Sequence, residues 1–302
     1  MLTGKKILVT GPAGRIAFGL CRELAKSNEV WGAARYSDPA SRARVEGIGV
    51  KAVKLDLGGG VFTDLPDDFD YLLHLAASIG PGLDYDGAIR VNAEGTGLLL
   101  AHCRKAKAAL VMSSTSVYKP NPDPWHPYAE TDPVGDANVP GTPTYGITKL
   151  IEEGVARTMA RHLNLPVVIA RMDVSYGPTE GSLPRAHLEM IRAGQTVRLR
   201  NDPAPYRPLH DKDLFDQLPA MLGLASVPAT VVNWCGDELV TAQEWCRYFG
   251  DLLGVTPTVV VETAPGSRPG SVSDITKRLA ATGPSRVHWR DGFREMVETP
   301  MG

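Results

Sequence analysis

Lys6-Ile7-Leu8-Val9-Thr10-Gly11-Pro12-Ala13-Gly14-Arg15-Ile16-Ala17 decides the fold. Its first five residues read as a buried β-strand, and a helical pattern over about 14–26 follows the glycine turn. Glycines let such a turn be tight and let a ligand approach the backbone, so that helix N-terminal N–H groups can hold a pyrophosphate. Ala17 occupies the third small position and still permits close helix–strand packing. A glycine turn between strand and helix can be purely structural. Its place at the first crossover favours a dinucleotide site formed by Gly11, Ala13, Gly14, Arg15 and Ile16.

Working outward, short β-branched runs alternate with longer helical patterns. Strands are expected at 29–34, 50–55, 71–75, 109–112 and 166–170, with helices over about 85–106 and 145–163. Apolar strands alternating with helices argue for a parallel sheet covered on both faces. The expected class is therefore α/β: a Rossmann-type doubly wound parallel sheet with a smaller C-terminal substrate-binding lobe. The division is placed at 1–174 for the nucleotide domain and 175–302 for the lobe, part of about 207–234 returning to the first. A proline-rich stretch over 119–143 breaks the rhythm, and a loop that long is more often functional than idle. Tyr118 just before it, and Trp125 and Tyr128 within it, are candidates to cover a substrate, with loop packing as the alternative. Trp289 reads as a C-terminal packing element.

Bulk properties bound the partners. The 302 residues carry 32 Lys and Arg against 34 Asp and Glu, a formal charge of -2, which argues against a general nucleic-acid or membrane binder. Hydrophobic content of 43% with 22% charged residues is ordinary for a soluble globular protein. No apolar run is long enough to span a bilayer. The N-terminal residues run directly into the first strand, so no signal peptide is expected and the expected location is cytoplasmic. Cys21, Cys103, Cys235 and Cys246 lack metal or redox spacing and read as free thiols, and no metal site is expected.

Tyr145 and Lys149 stand four residues apart in Pro143-Thr144-Tyr145-Gly146-Ile147-Thr148-Lys149. On a helix these positions share one face. A cation beside a phenol favours phenolate, an arrangement suited to general acid/base work. The spacing alone is common. It gains force from the phosphate loop and from the cluster Ser113-Ser114-Thr115-Ser116.

The second strand ends Gly32-Ala33-Ala34-Arg35-Tyr36-Ser37 with no acid at its tip. A carboxylate there suits the ribose of NAD, and an arginine suits a 2′-phosphate. NADP is therefore expected in preference to NAD, the alternative being that Arg35 is a solvated strand-end residue stacking on adenine.

Taken together, these pieces resemble the extended short-chain dehydrogenase/reductase group, the NAD-dependent epimerase/dehydratase family. The glycine loop is similar to its Thr-Gly-x-x-Gly-x-x-Gly, Asp56-Leu57 to its adenine-contacting pair, and His74-Leu75-Ala76-Ala77 to its small-residue turn beside the cofactor. Asn92 with Gly95-Thr96, the segment Ser113 to Tyr118, the Tyr145/Lys149 pair, and Arg171 with Tyr176-Gly177-Pro178 all match family elements. So do His210 with Asp213, and Arg268-Pro269-Gly270 with Asp274 and Lys277. The resemblance implies that Ser114, Tyr145 and Lys149 are catalytic. It implies cofactor contacts from Leu75, Ala76, Ala77, Asn92, Tyr145, Lys149 and Tyr176 besides the glycine loop, Arg35, Asp56 and Leu57. Substrate contacts are implied for Ser114, Thr115, Tyr145, Val174 and Arg268. A homodimer built on the helices over 85–106 and 145–163 is also implied.

Departures bear on the substrate. Val174 replaces the asparagine by which the family's sugar-nucleotide enzymes contact substrate, and valine offers no side-chain hydrogen bond. Thr115-Ser116 replaces the Asp-Glu pair of the dehydratases. Arg207 stands one place from the position of the usual diphosphate arginine, whereas Arg268 matches a diphosphate contact. The leading expectation is an NAD(P)-dependent oxidoreductase moving hydride between nicotinamide and a hydroxyl or ketone carbon of a small-molecule substrate. The alternative is a sugar-nucleotide epimerase working through a transient 4-keto intermediate, and a third reading is a cofactor-sensing regulator.

Overall fold

The computed structural model describes residues 2–79, 84–136, 141–263, 266 and 268–299, leaving residues 137–140 of the proline-rich loop outside the description. The first half is a run of strands and helices: β1 (Lys6–Thr10), α1 (Arg15–Leu24), β2 (Glu29–Ala34), α2 (Pro39–Glu46), β3 (Lys51–Lys54), β4 (Tyr71–His74), α3 (Tyr85–Ile89), α4 (Gly95–His102), β5 (Ala108–Ser114), α5 (Tyr145–Leu163) and β6 (Val167–Met172). Then come β7 (Ser175–Tyr176), α6 (Leu183–Arg192), β8 (Val197–Leu199), β9 (Pro205–Tyr206), β10 (Leu209–His210), α7 (Asp211–Gly223), β11 (Thr230–Trp234), β12 (Val240–Thr241), α8 (Ala242–Leu253), β13 (Val259–Val261), α9 (Thr276–Thr282) and α10 (Trp289–Glu298).

Seven strands form one sheet in the order β11-β6-β5-β4-β1-β2-β3, every pairing parallel. The chain fills one side from β1 to β3 and then crosses to β4 on the other side of β1. The crevice beyond the ends of β1 and β4 is thus the switch point of the topology, where open α/β sheets bind ligands.

Alternation along the strands builds a core on each face of the sheet. Ile7, Val9, Leu110, Met112, Val168 and Ala170 pack with Leu20 and Leu24 of α1 and Leu214 and Leu218 of α7. Leu8, Ala109, Val111, Val167 and Ile169 face the other way, against Leu99 and Leu100 of α4 and Ala156 and Ala160 of α5. Because both faces are covered, the central strands read as continuous apolar runs and not as alternating ones. A third core joins α6, α8 and α10 around Trp245, Phe249 and Phe293, with Trp289 at its edge. Short strand pairs accompany it: β7 with β10, β8 with β13, and β9 with β12. Among the described residues no helix is long and apolar enough to cross a membrane.

One expected element differs in form. The helix anticipated over 85–106 is broken by a π-helical turn, Arg90–Glu94. Asn92 in that turn is drawn inward: it accepts from the Ser78 N–H (2.6 Å) and donates to the Ser78 carbonyl (3.0 Å) and Thr148 Oγ1 (3.0 Å). Gly95 follows because a Cβ there would lie 2.9 Å from the Leu57 carbonyl oxygen.

Candidate active site

The site begins at the tip of β1. Gly11 has φ +65°, and a Cβ on it would sit 3.1 Å from Ala76 Cα, so the loops after β1 and β4 meet at a position that only glycine fits comfortably. Thr10 fastens the same junction, since its Oγ1 accepts from the Leu75 and Ala76 N–H groups at 3.0 Å each. With both acceptor positions used, the Thr10 hydroxyl proton points to His74 Nδ1 (2.8 Å). His74 Nε2–H then donates to Thr96 Oγ1 (2.7 Å), which donates to the Asn92 carbonyl (2.6 Å). This chain of donors assigns a neutral imidazole, and burial, with the Lys149 charge adding to it, holds its pKa down at about 3.

Gly14 caps α1 without a side-chain hydrogen bond, and no acid stands in the first turn. The helix therefore presents its first N–H groups, with the positive end of its dipole, to an anion. A cleft of about 530 Å³ runs past this point. Gly11, Ala13, Gly14, Arg15 and Ile16 line its middle, with Leu75, Ala76 and Ala77 opposite. Arg15 is anchored to α7, its Nη1 donating to Asp211 Oδ2 at 2.9 Å.

At one end lie Arg35, Tyr36, Ser37, Ser41, Asp56 and Leu57. Arg35 is exposed. The nearby Asp38 is engaged elsewhere, accepting from the Ala40 N–H (3.0 Å) as the N-cap of α2. Asp56 accepts from the Gly58 N–H at 3.1 Å.

At the other end the tips of β5 and β6 and the first turn of α5 converge. Ser113, Ser114, Tyr145, Lys149, Met172, Asp173 and Ser175 line this part. Tyr145 and Lys149 share a face of α5, with Lys149 only 2% exposed. Lys149 Nζ donates to the Met112 carbonyl at 2.9 Å. Ser114 Oγ accepts from the Ser116 N–H at 3.1 Å, which leaves its hydroxyl proton to be donated. Within this wall, Asp173 accepts from the Arg207 N–H (3.1 Å) and from the Ser271 hydroxyl. Burial pushes its carboxyl up to about 6 against these bonds. Arg268 Nη2 donates to Thr115 Oγ1 at 3.2 Å. A strand-end anion seat, an elongated groove and a polar wall with a phenol, a hydroxyl and an ammonium fit a bound dinucleotide beside a reacting hydroxyl or carbonyl.

The model of the NAD dependent epimerase/dehydratase family matches residues 7–222. The chain belongs to this family. Its structure is similar to UDP-glucuronic acid 4-epimerase from Bacillus cereus in complex with UDP-glucuronic acid and NAD, at 22% identity over 97% of this chain and 98% of that one, with a TM-score of 0.83. It is also similar to UDP-N-acetylglucosamine 4-epimerase from Methanobrevibacter ruminantium M1 in complex with UDP-N-acetylmuramic acid (20% identity, 98% of both chains, TM-score 0.83). A third is the Bordetella bronchiseptica enzyme WbmG in complex with NAD (20% identity, 98% and 93%, TM-score 0.81). No curated protein matches the sequence.

In this epimerase/dehydratase chain most of the anticipated residues share the cleft wall, and five do not. Asn92 is 1% exposed, and its amide is consumed by Ser78 and Thr148, so it shapes the loop after β4 and does not face the cleft. Tyr176, expected at the cofactor, is not on the cleft wall: its ring packs on His210 and Phe293 at 1% exposure. Thr115, Val174 and Arg268 stand off the wall, with Thr115 3% exposed and bonded to Arg268 and Ser271. Arg207 turns away, donating to the Asp237 carbonyl. Tyr118 and Tyr128 stack on each other (centroids 5.0 Å apart) in the interior, and Tyr118 donates to Asn233 (2.6 Å), so loop packing is their role. The sequence reading passed over Ser37, Ser41, Asp173 and Ser175. Ser37 adjoins Arg35 in the strand-end segment already quoted, and Asp173 adjoins Val174; those neighbours were the available signals. Among the described residues no His, Cys, Asp and Glu group is arranged to hold a metal ion, and burial raises all four thiols to about 12.

Proposed function

We propose that this protein is a nucleotide-sugar 4-epimerase that uses Ser114, Tyr145 and Lys149 on a bound nicotinamide dinucleotide. One observation carries the reading: Ser114, Tyr145 and Lys149 lie on the wall of the same cleft as the Gly11–Ala76 junction and the bare start of α1. Likeness to UDP-sugar 4-epimerases over nearly the full length of both chains supports the sugar-nucleotide choice. Arg268 adds to it, since its buried Nη1 has no hydrogen-bond partner among the described residues and suits an anionic group.

In this reading Tyr145, as phenolate, takes the proton of the sugar's 4-hydroxyl, and Ser114 donates to that oxygen throughout. Lys149 would stabilise the phenolate and hold the cofactor's ribose. The nicotinamide, when bound, supplies the acceptor and later the donor of the hydride. Once the ketone has turned its other face to the cofactor, addition of the hydride to that face would set the opposite configuration while Tyr145 returns the proton to the oxygen, with no net oxidation. Arg35, Ser37 and Ser41, together with the engaged Asp38, support a 2′-phosphate and hence NADP; the related epimerase and WbmG structures carry NAD. Exposed Leu98 (49%) on α4 and Ile147 (42%) on α5 support a homodimer through these helices.

A second reading is a net reductase or dehydrogenase of a smaller hydroxyl or ketone. Val174 and the turned-away Arg207 favour it, because each removes a polar contact to a nucleotide sugar. Incubation with UDP-glucose, UDP-glucuronic acid and UDP-N-acetylglucosamine separates the two. The 4-epimer should form with no net change in reduced-nicotinamide absorbance. Stoichiometric consumption of NADPH by a simple ketone, with no epimer from any nucleotide sugar, would replace the first reading by the second.

A further inference from the structure

Lys149 has a second charged neighbour that its proposed role does not use. Three residues further along α5, Glu152 places Oε2 2.6 Å from Lys149 Nζ, and the two side chains are 0% and 2% exposed. The approach is off the axis of a good hydrogen bond, for Glu152 Oε2 counts no aligned donor. The contact is therefore chiefly one of charge, and the ammonium's aligned bond goes to the Met112 carbonyl. On its far side Glu152 Oε1 lies 3.5 Å from both Thr96 Oγ1 and His74 Nε2.

The surroundings keep this carboxylate without other charge compensation. From β4 it faces His74, held neutral as argued above. From α4 it meets Thr96. On α5 itself the adjacent Glu153 is taken up by Arg171 of β6 and by Ser113 of β5. Tyr118, beyond β5, lies against Arg171. Tyr85 and Asp86 of α3 and Arg90 and Glu94 of the π-helical turn are exposed. Lys149 is thus the one cation in contact with Glu152 among the described residues, and burial raises the Glu152 carboxyl to about 7 in spite of it.

We propose that Glu152 is a positioning residue for the active-site lysine: paired with Lys149 from beneath, it partly cancels the ammonium's field at Tyr145 and so sets the pH at which the phenol gives up its proton. The warrant is Coulombic. A unit charge a few ångströms away in a poorly solvated site moves a proton equilibrium substantially, and an acid and a base in contact act on a third group as a dipole, more weakly than the base alone. The inference rests on the Ser114/Tyr145/Lys149 reading of the site but not on the identity of the substrate.

The test is a near-ultraviolet titration of tyrosinate in the full-length protein with NADP bound, comparing wild type with Glu152→Gln, each corrected by the same protein carrying Tyr145→Phe. The Tyr145 midpoint should fall by about one pH unit in Glu152→Gln, because the unopposed ammonium favours phenolate. An unchanged or raised midpoint overturns the proposal. Should Glu152→Gln not fold, Glu152→Asp, whose carboxylate is withdrawn by one methylene, should shift the midpoint in the same direction by less, and no shift there is equally fatal. Failure to epimerise any nucleotide sugar, with the midpoint shift intact, would count against the proposed function and leave this inference standing.

Discussion

Arg171 at the end of β6 and Glu153 on α5 form a buried two-pronged pair, Nε to Oε1 at 2.9 Å and Nη2 to Oε2 at 2.7 Å, with both side chains 2% exposed. Ser113 donates to the same Glu153 at 2.6 Å, and Arg171 Nη1 donates to the Glu130 carbonyl at 3.1 Å. The pair thereby ties together the strand that carries Ser114 and the helix that carries Tyr145 and Lys149, through Glu153, and the proline-rich loop, through Arg171. Arg171→Met should cost about 3–5 kcal/mol, because it strands a buried charge. Denaturant unfolding measures this, and an unaltered midpoint with an unaltered slope would show that the pair is dispensable.

Gly11→Ala should weaken dinucleotide binding by about tenfold or more, since the left-handed backbone is strained for alanine and the new methyl presses on Ala76. Equilibrium titration with NADP and NAD checks it. Wild-type affinity in this variant would place the pyrophosphate somewhere other than the β1 tip.

Arg35 decides cofactor choice if the 2′-phosphate lies at the end of β2. NADP should bind the wild type more tightly than NAD, and Arg35→Asp should narrow or reverse the gap. Equal dissociation constants in the wild type would remove the arginine from the argument and leave it as a surface residue on the adenine.

Acid stability should carry the signature of buried neutral histidines. His187, 6% exposed, accepts from Trp245 Nε1 at 3.0 Å, and burial lowers its pKa to about 4 from the ordinary 6.5. Between these values the unfolded chain binds the proton that the folded one refuses. This contribution is therefore complete above pH 6.5 and is lost as the pH falls toward 4, at about 1.4 kcal/mol per pH unit. Glu152 and Asp173, raised to about 7 and about 6, act with opposite sign, holding protons in the folded state that the unfolded one has released. The difference in stability between wild type and His187→Gln, followed from pH 7 to 4, isolates the histidine; the gap should change in favour of the variant as the pH drops, and a pH-independent gap would contradict the assignment.

How much could be read before the structure follows from where each signal resides. The glycine loop and the Tyr145/Lys149 spacing are local: a turn at a strand end and one face of a helix need only neighbours in the chain. The parallel sheet was readable from its uniformly apolar strands. The inward turn of Tyr176 and Asn92 was not legible, because the direction of a side chain in a two-residue strand or in a π-helical turn depends on what packs against it: Phe293 in one case, Ser78 in the other. Asp38 likewise has a role visible only once α2 is seen to start there. Glu152 was hidden among ordinary helix charges, since its meaning comes from β4 and α4 closing over it.

The account's central claim is that Tyr145 is the proton-transferring group of a nucleotide-sugar epimerase, and Tyr145→Phe tests it most directly. The measurement is 4-epimer formation from whichever UDP-sugar the wild type converts, alongside the dissociation constant for the dinucleotide. We predict no detectable epimer and near-normal cofactor affinity, since the phenylalanine fills the same place on the cleft wall without a proton to exchange. Substantial turnover by that variant would contradict the claim.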